Sequence, residues 1–128
     1  MGAEGVQIGT LFALAEESSA SDAFKQACTN LEEGDTMLCL KKLAPSRLVK
    51  NGLYNRIAEA EAKGAEVPEL LDILGEKATR RGIFDGDTEN GEMEIGQIAS
   101  AIKQVEPVSV IMNRLIKEYN DARAAINA

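Results

Sequence analysis

Apolar residues recur along much of this chain at the three- and four-residue spacing of helices that turn one face to a core. The signal is clearest after Pro107, a residue suited to a helix start. From there Val108, Ile111, Met112, Leu115, Ile116, Tyr119 and Ile126 draw one apolar face. Arg114 with Glu118, and Lys117 with Asp121, fall at i,i+4 on the wetter side; such pairs contribute about 0.2–0.5 kcal/mol each. Just upstream, Ile95, Ile98, Ala99 and Ile102 repeat with the same period, and Glu92 and Glu94 sit where acids meet the positive end of a helix dipole. This predicts a helix that Pro107 ends. Asp85-Gly86-Asp87 and Asn90-Gly91 predict the loop before it.

The remaining elements follow in order. Gly5 to Thr10 carries β-branched residues and a Gly-Thr turn, predicting a short strand centred on Val6 to Ile8, followed by a short helix from Leu11 to Glu17. Several N-cap candidates between Ser19 and Asp22 precede Phe24, Ala27, Cys28 and Leu31, so a helix is expected over about 21–31. Gly34-Asp35 closes it. Thr36 to Leu40 is an apolar run, either extended or buried, which periodicity does not decide. A helix is predicted from Leu53 to Lys63 with Ile57 inside, stopped by Gly64. The next begins near Pro68 and ends at Gly75.

Composition narrows the chemistry. A chain of 128 residues with 45% hydrophobic residues, no Trp and few aromatics suits one core of Leu, Ile, Val and Ala. The net charge of −7 argues against a nucleic-acid partner, since phosphate neutralisation needs a basic face. No apolar run approaches the ~20 residues that span a bilayer, and the start lacks the order of a secretion signal. A cytoplasmic protein without a membrane partner is expected. Cys28 and Cys39 read as buried free thiols; with no His in the chain they cannot complete a zinc site, and no metal is expected.

Other constellations fall short of a catalytic centre. The stretch Asp85 to Gly91 resembles a calcium loop but fails in register: counted from Asp85, Gly91 takes the seventh place and Gly96 the twelfth, where a glutamate is required. Glu16 with Glu17, and Glu92 with Glu94, are acids that do not share a helix face, so they read as solvated. Without His no serine has a base to activate it, so no catalytic residue is assigned.

Two stretches carry a family resemblance. The string E-N-G-E-M-E-I-G-Q-I-A-S-A-I-K-Q-V-E-P-V, from Glu89 to Val108, resembles the C-terminal region of the flavin-dependent enoyl-acyl-carrier-protein reductase II and nitronate monooxygenase (2-nitropropane dioxygenase) family. Gly2 to Phe12 is similar to that family's last barrel strand and flavin phosphate loop, and Lys42–Gly64 and Leu74–Asp87 to its C-terminal extension. The resemblance implies a mostly helical chain holding the last strand and helix of a (β/α)₈ TIM barrel, residues 1–33, and a C-terminal helical extension, residues 34–128. It also implies that Gly9 and Thr10 hold the FMN phosphate through their backbone, since a strand, a Gly-Thr turn and a helix start can cradle an anion. Leu11 stands where the family often has Arg, which leaves a backbone cradle only.

By the same resemblance the parent enzyme would pass a hydride from NAD(P)H through FMN to an enoyl thioester of fatty acid biosynthesis, or oxidise an alkyl nitronate. Its catalytic histidine and the other half of the phosphate site would lie earlier in the barrel, so this chain alone is expected to be inactive. The basic segment Lys41, Lys42, Arg47, Lys50 and Arg56 reads as a solvated rim, or as a surface for the acidic acyl carrier protein the resemblance supplies. The rival reading takes Met1 as a true start and the chain as a non-catalytic helical interaction or oligomerisation module. An unpaired strand would then need self-association or the missing barrel as its partner. A different flavin barrel would share the Gly-Thr turn but not the Glu89–Pro107 string.

Overall fold

The computed structural model describes residues 3–126. Its elements run α1 (Thr10–Ala13), α2 (Asp22–Thr29), β1 (Thr36–Cys39), β2 (Ser46–Val49), α3 (Gly52–Ala62), α4 (Val67–Leu74), α5 (Ala78–Ile83), a 3₁₀ turn (Gln97–Ala101) and α6 (Val108–Ile126). The predicted helix boundaries of α2, α3, α4 and α6 hold to within a few residues because their end signals are local. The Ser21 hydroxyl accepts from the Phe24 N–H at 3.2 Å. Gly64 and Gly75 sit at φ +86° and +68°, where only a residue without Cβ is unstrained. Pro68 occupies the first turn of α4. Two i,i+4 expectations part ways on α6: Lys117 and Asp121 pair at 2.5 Å, but Arg114 reaches back to Glu106 at 2.7 Å instead of to Glu118.

Two apolar clusters hold these elements together. One gathers Cys39, Leu40, Leu48, Leu53, Ile57, Leu70 and Leu74 between the hairpin, α3 and α4. The other joins Leu14, Phe24, Cys28 and Leu31 to Met93, Ile95 and Ala99, and so takes residues from both sides of position 33. Cys28 and Cys39 are free and buried, as their composition suggested. Lys25 is buried too; its ammonium donates to the carbonyls of Glu16 and Ser18 at 3.1 and 2.9 Å, fixing the turn after α1.

Several expectations need correction. Glu92 to Ile95 is not helical. Val49 N–H donates to Met93 O at 3.0 Å, Ile95 N–H to Arg47 O at 3.2 Å, and Leu48 bridges Glu94, so the segment runs as a partner beside β2. Only Gln97–Ala101 turns, as 3₁₀. The burial of Met93 and Ile95 satisfies a strand-like register as well as a helical one, and the hydrogen bonds from β2 decide it. The ambiguous run is extended over Thr36–Cys39, where β1 pairs antiparallel with β2, Thr36 opposite Val49, and ends at Leu40, which is buried at φ +57°. The helix expected over Leu11–Glu17 spans Thr10–Ala13 only.

The strand expected at Val6–Ile8 is absent: residues 3–9 adopt no strand, and Val6 is 85% exposed. A strand exists through ladder bonds to neighbours, and among the described residues none is formed with this segment. The largely helical architecture nonetheless stands, with the β1–β2 hairpin as the sheet of the described residues.

Candidate functional site

The site is built around Thr10. Its hydroxyl accepts a hydrogen bond from the Gly96 N–H at 3.1 Å, joining the turn before α1 to the segment that runs beside β2. A Cβ on Gly96 would strike that hydroxyl, so the glycine is what allows the approach. Around this contact lies an open cleft of about 360 Å³ lined by Thr10, Ala13, Arg47, Glu94, Ile95 and Gly96. A neighbouring hollow of about 320 Å³ runs along Gln7 to Leu11 against Ile98 and Ile102.

Gly9 is the N-cap of α1, with φ −97° and ψ −63°, a backbone any residue can adopt. Nothing lies within 4 Å of where its Cβ would be. The first N–H groups of a helix have no partner inside it, so the turn offers donors toward open space. One turn supplies only part of the shell that a phosphate needs.

Arg47 is half-buried on β2. Its Nη1 donates to Thr36 O at 3.3 Å and to Thr36 Oγ1 at 3.2 Å, which aims the guanidinium along the cleft wall. The other members of the basic segment point elsewhere. Lys42 pairs with Glu66 at 2.5 Å, Arg56 donates to Asn90 Oδ1 at 3.2 Å, and Lys50 is exposed. They form no single patch. Among the described residues no group of three His, Cys, Asp or Glu side chains converges as a metal site would require, and no helix is long and apolar enough to cross a membrane.

Sequence reasoning missed the part played by Arg47, Glu94 and Gly96. The turn signals at Gly9-Thr10 and the string containing Gly96 were both legible, but their contact spans 86 positions and follows from packing. Of the acids read as solvated, Glu92 is instead buried and accepts from the Thr79 hydroxyl, whereas Glu17 is exposed as expected and its carboxylate also accepts from the Val108 N–H at 2.9 Å, capping α6. A carboxylate at a helix N-terminus meets the positive end of the dipole, though no local signal links positions so far apart.

A probable nitronate monooxygenase of Staphylococcus aureus strain JH9 is 30% identical over 123 residues, covering 94% of this chain and 34% of that protein. The counterpart in strain Newman matches equally. The structure of FabK from Thermotoga maritima superposes with a TM-score of 0.85 at 28% identity, over 98% of this chain and 40% of that one. Its M276A mutant gives a TM-score of 0.77 at 26% identity, over 98% and 37%. The chain thus spans about a third of the length of the curated relatives it matches. The profile that describes nitronate monooxygenases matches residues 1–118, nearly the whole sequence, and on that match this chain belongs to the nitronate monooxygenase family.

Proposed function

We propose that this chain provides the closing part of a flavin-binding barrel, residues 1–33, and the helical extension behind it, residues 34–128. The whole is an FMN-dependent NAD(P)H oxidoreductase of the enoyl-acyl-carrier-protein reductase or nitronate monooxygenase type. The carrying observation is the Gly9-Thr10 turn: it is anchored on one side by the Thr10–Gly96 bond and open on the other, with nothing within 4 Å of the Gly9 Cβ position. Its backbone N–H groups would hold the FMN phosphate. FMN, when bound, supplies the redox chemistry; the residues of this chain bind and orient.

The chain has no His, so catalysis is assigned to the rest of the barrel. The substrate is an enoyl thioester or an alkyl nitronate. An acyl carrier protein would meet the exposed lysines of the basic segment, Lys41 and Lys50. A cytoplasmic location goes with this reading.

FMN titration followed by flavin fluorescence tests it. The chain alone is expected to retain no flavin; supplied with the remaining barrel as a second polypeptide, it should. Gly9→Val should then release the flavin without unfolding the chain, because its backbone conformation admits a side chain. Full FMN retention by Gly9→Val rejects the phosphate assignment. Tight stoichiometric binding by the chain alone rejects the incomplete site.

A second reading, a non-catalytic interaction module, is favoured by one observation. On α6, Met112, Ile116, Tyr119 and Ile126 are 41, 52, 65 and 84% exposed. Light scattering that shows a stable oligomer, with no flavin response even when the barrel is supplied, would favour it over the enzyme part.

A further inference from the structure

We propose that Asn90 is a site of spontaneous covalent modification, at which the backbone nitrogen of Gly91 displaces ammonia from the Asn90 side-chain amide. Water then opens the resulting imide to aspartate or isoaspartate. The reaction uses no flavin, so it lies beyond the function proposed above and does not rest on it.

The chain contains two Asn-Gly pairs, Asn51-Gly52 and Asn90-Gly91. Glycine is the least hindered successor for such an attack, because it carries no Cβ beside the attacking nitrogen. The fold treats the two pairs in opposite ways. Asn51 is buried; its Nδ2 donates to the carbonyls of Thr88 and Gly91, and its Oδ1 accepts from the Tyr54 N–H. Ring closure there would break all of these bonds, expel ammonia from a packed interior and call for water that the packing excludes. Asn51 is protected.

Asn90 is exposed, in a loop that is neither helix nor strand. The imide would contain two carbonyl groups, and each already accepts from a guanidinium. Arg56 Nη1 donates to the side-chain Oδ1 at 3.2 Å, and Arg81 Nη2 to the main-chain oxygen at 3.4 Å. Arg56 thereby draws electrons from the carbon that Gly91 attacks, and Arg81 from one of the two that water attacks afterwards. Donors aimed at an oxygen where negative charge develops lower the barrier. Positive charge close by also favours loss of the Gly91 amide proton, which must precede attack. Among the described residues Asn90 Nδ2 makes no hydrogen bond, so the leaving ammonia is not held. Opposing attack is the bond from the Gly91 N–H to Asp87 O at 2.9 Å, which has to open.

The bond from the Gly91 nitrogen to Asn90 Cγ forms as the bond from Cγ to Nδ2 breaks, and Nδ2 departs as ammonia with the amide proton. Water cleaving the imide at Cγ leaves aspartate. Cleavage at the main-chain carbon leaves isoaspartate, with the backbone rerouted through the side chain and one carbon longer. No oxidant or reductant takes part. The longer backbone has little room: a Cβ on Gly91 would strike Gly82, and the Gly91 carbonyl holds Asn51 Nδ2 at 2.9 Å. The isoaspartyl form should lose the tie between this loop and α3.

Peptide mapping by mass spectrometry tests this on the chain kept in warm, mildly alkaline buffer, native and in urea. The native protein should gain the mass of an amide-to-acid exchange, as two isomers, in the peptide holding Asn90 and not in the one holding Asn51. In urea both peptides should change. Asn90→Gln, which would need a larger ring, should stop the native reaction. Arg56→Gln, at an exposed position, should slow it in the native state and leave the rate in urea unchanged. Converted protein separated by ion exchange should show a lower urea midpoint than the parent. An unchanged Asn90 in native protein whose urea control has converted, or native conversion of Asn51 as fast as that of Asn90, overturns the proposal. Faster native conversion of Arg56→Gln overturns the activating role of the guanidinium.

Discussion

The Thr10 hydroxyl and the Gly96 N–H meet at 3.1 Å across 86 positions of sequence, and this one bond sets the geometry of the candidate site. Thr10→Val keeps the shape and removes the acceptor, leaving the partly buried Gly96 N–H unpaired. The loss should be about 1 kcal/mol, read as a lower urea midpoint at unchanged slope. Thr10→Ser should retain most of the stability. Equal midpoints for Val and wild type would show that the bond contributes nothing to the fold.

A second close approach occurs where α5 passes the loop before the segment that runs beside β2. A Cβ on Gly82 would lie 2.6 Å from the Glu92 carbonyl carbon and 2.9 Å from its nitrogen, and a Cβ on Gly91 would lie 2.6 Å from Asp87 O. Backbone cannot yield as a flexible side chain does. Gly82→Ala should therefore destabilise by about 2–3 kcal/mol or more, whereas Gly5→Ala, with nothing within 4 Å, should be near neutral. Thermal melting of the two variants side by side checks the contrast.

Asn51 ties three elements with one side chain. Its oxygen caps α3 by accepting from Tyr54 N–H at 3.0 Å, while its Nδ2 donates to the carbonyls of Thr88 and Gly91, each at 2.9 Å. Asn51→Asp preserves the cap yet turns a carboxylate oxygen toward two carbonyls in a buried place. It should cost more than Asn51→Ala, which itself loses about 1–3 kcal/mol. If Asp proves the milder change under denaturant unfolding, the bonds to the loop are not what holds it.

The two thiols should shape the alkaline limb of the stability curve. Burial pushes the Cys28 thiol up to about 12 from an ordinary 9.0, and burial with the nearby Glu61 and Glu92 pushes Cys39 up to about 11. In each case the folded state holds its proton to higher pH than the unfolded one. The stabilisation is complete below about pH 9 and is lost as pH rises toward the folded values. Stability should thus fall between pH 9 and 12, and Cys28→Ala should flatten that fall relative to wild type. A wild-type curve that stays level up to about pH 11 would contradict the burial of both groups.

Much of the helical layout was legible locally. Ser21, Gly64, Pro68, Gly75 and Pro107 mark helix ends through capping, positive φ or a missing N–H, and each acts within a few residues of itself. The periodic faces of α2, α3 and α6 follow from the same short range. Tertiary structure decided what those signals could not. Ser46–Val49 reads as part of a basic rim and becomes a strand because Thr36–Cys39 pairs with it. Glu92–Ile95 has helical spacing but is drawn out by bonds to Arg47 and Val49. Val6–Ile8 has strand composition and no strand, since a ladder needs a neighbour. The cleft likewise exists only once Thr10, Arg47 and Gly96 are brought together from distant segments. Helix signals are paid out within one or two turns of chain, whereas strand pairing and site assembly depend on partners whose identity no single stretch of sequence carries.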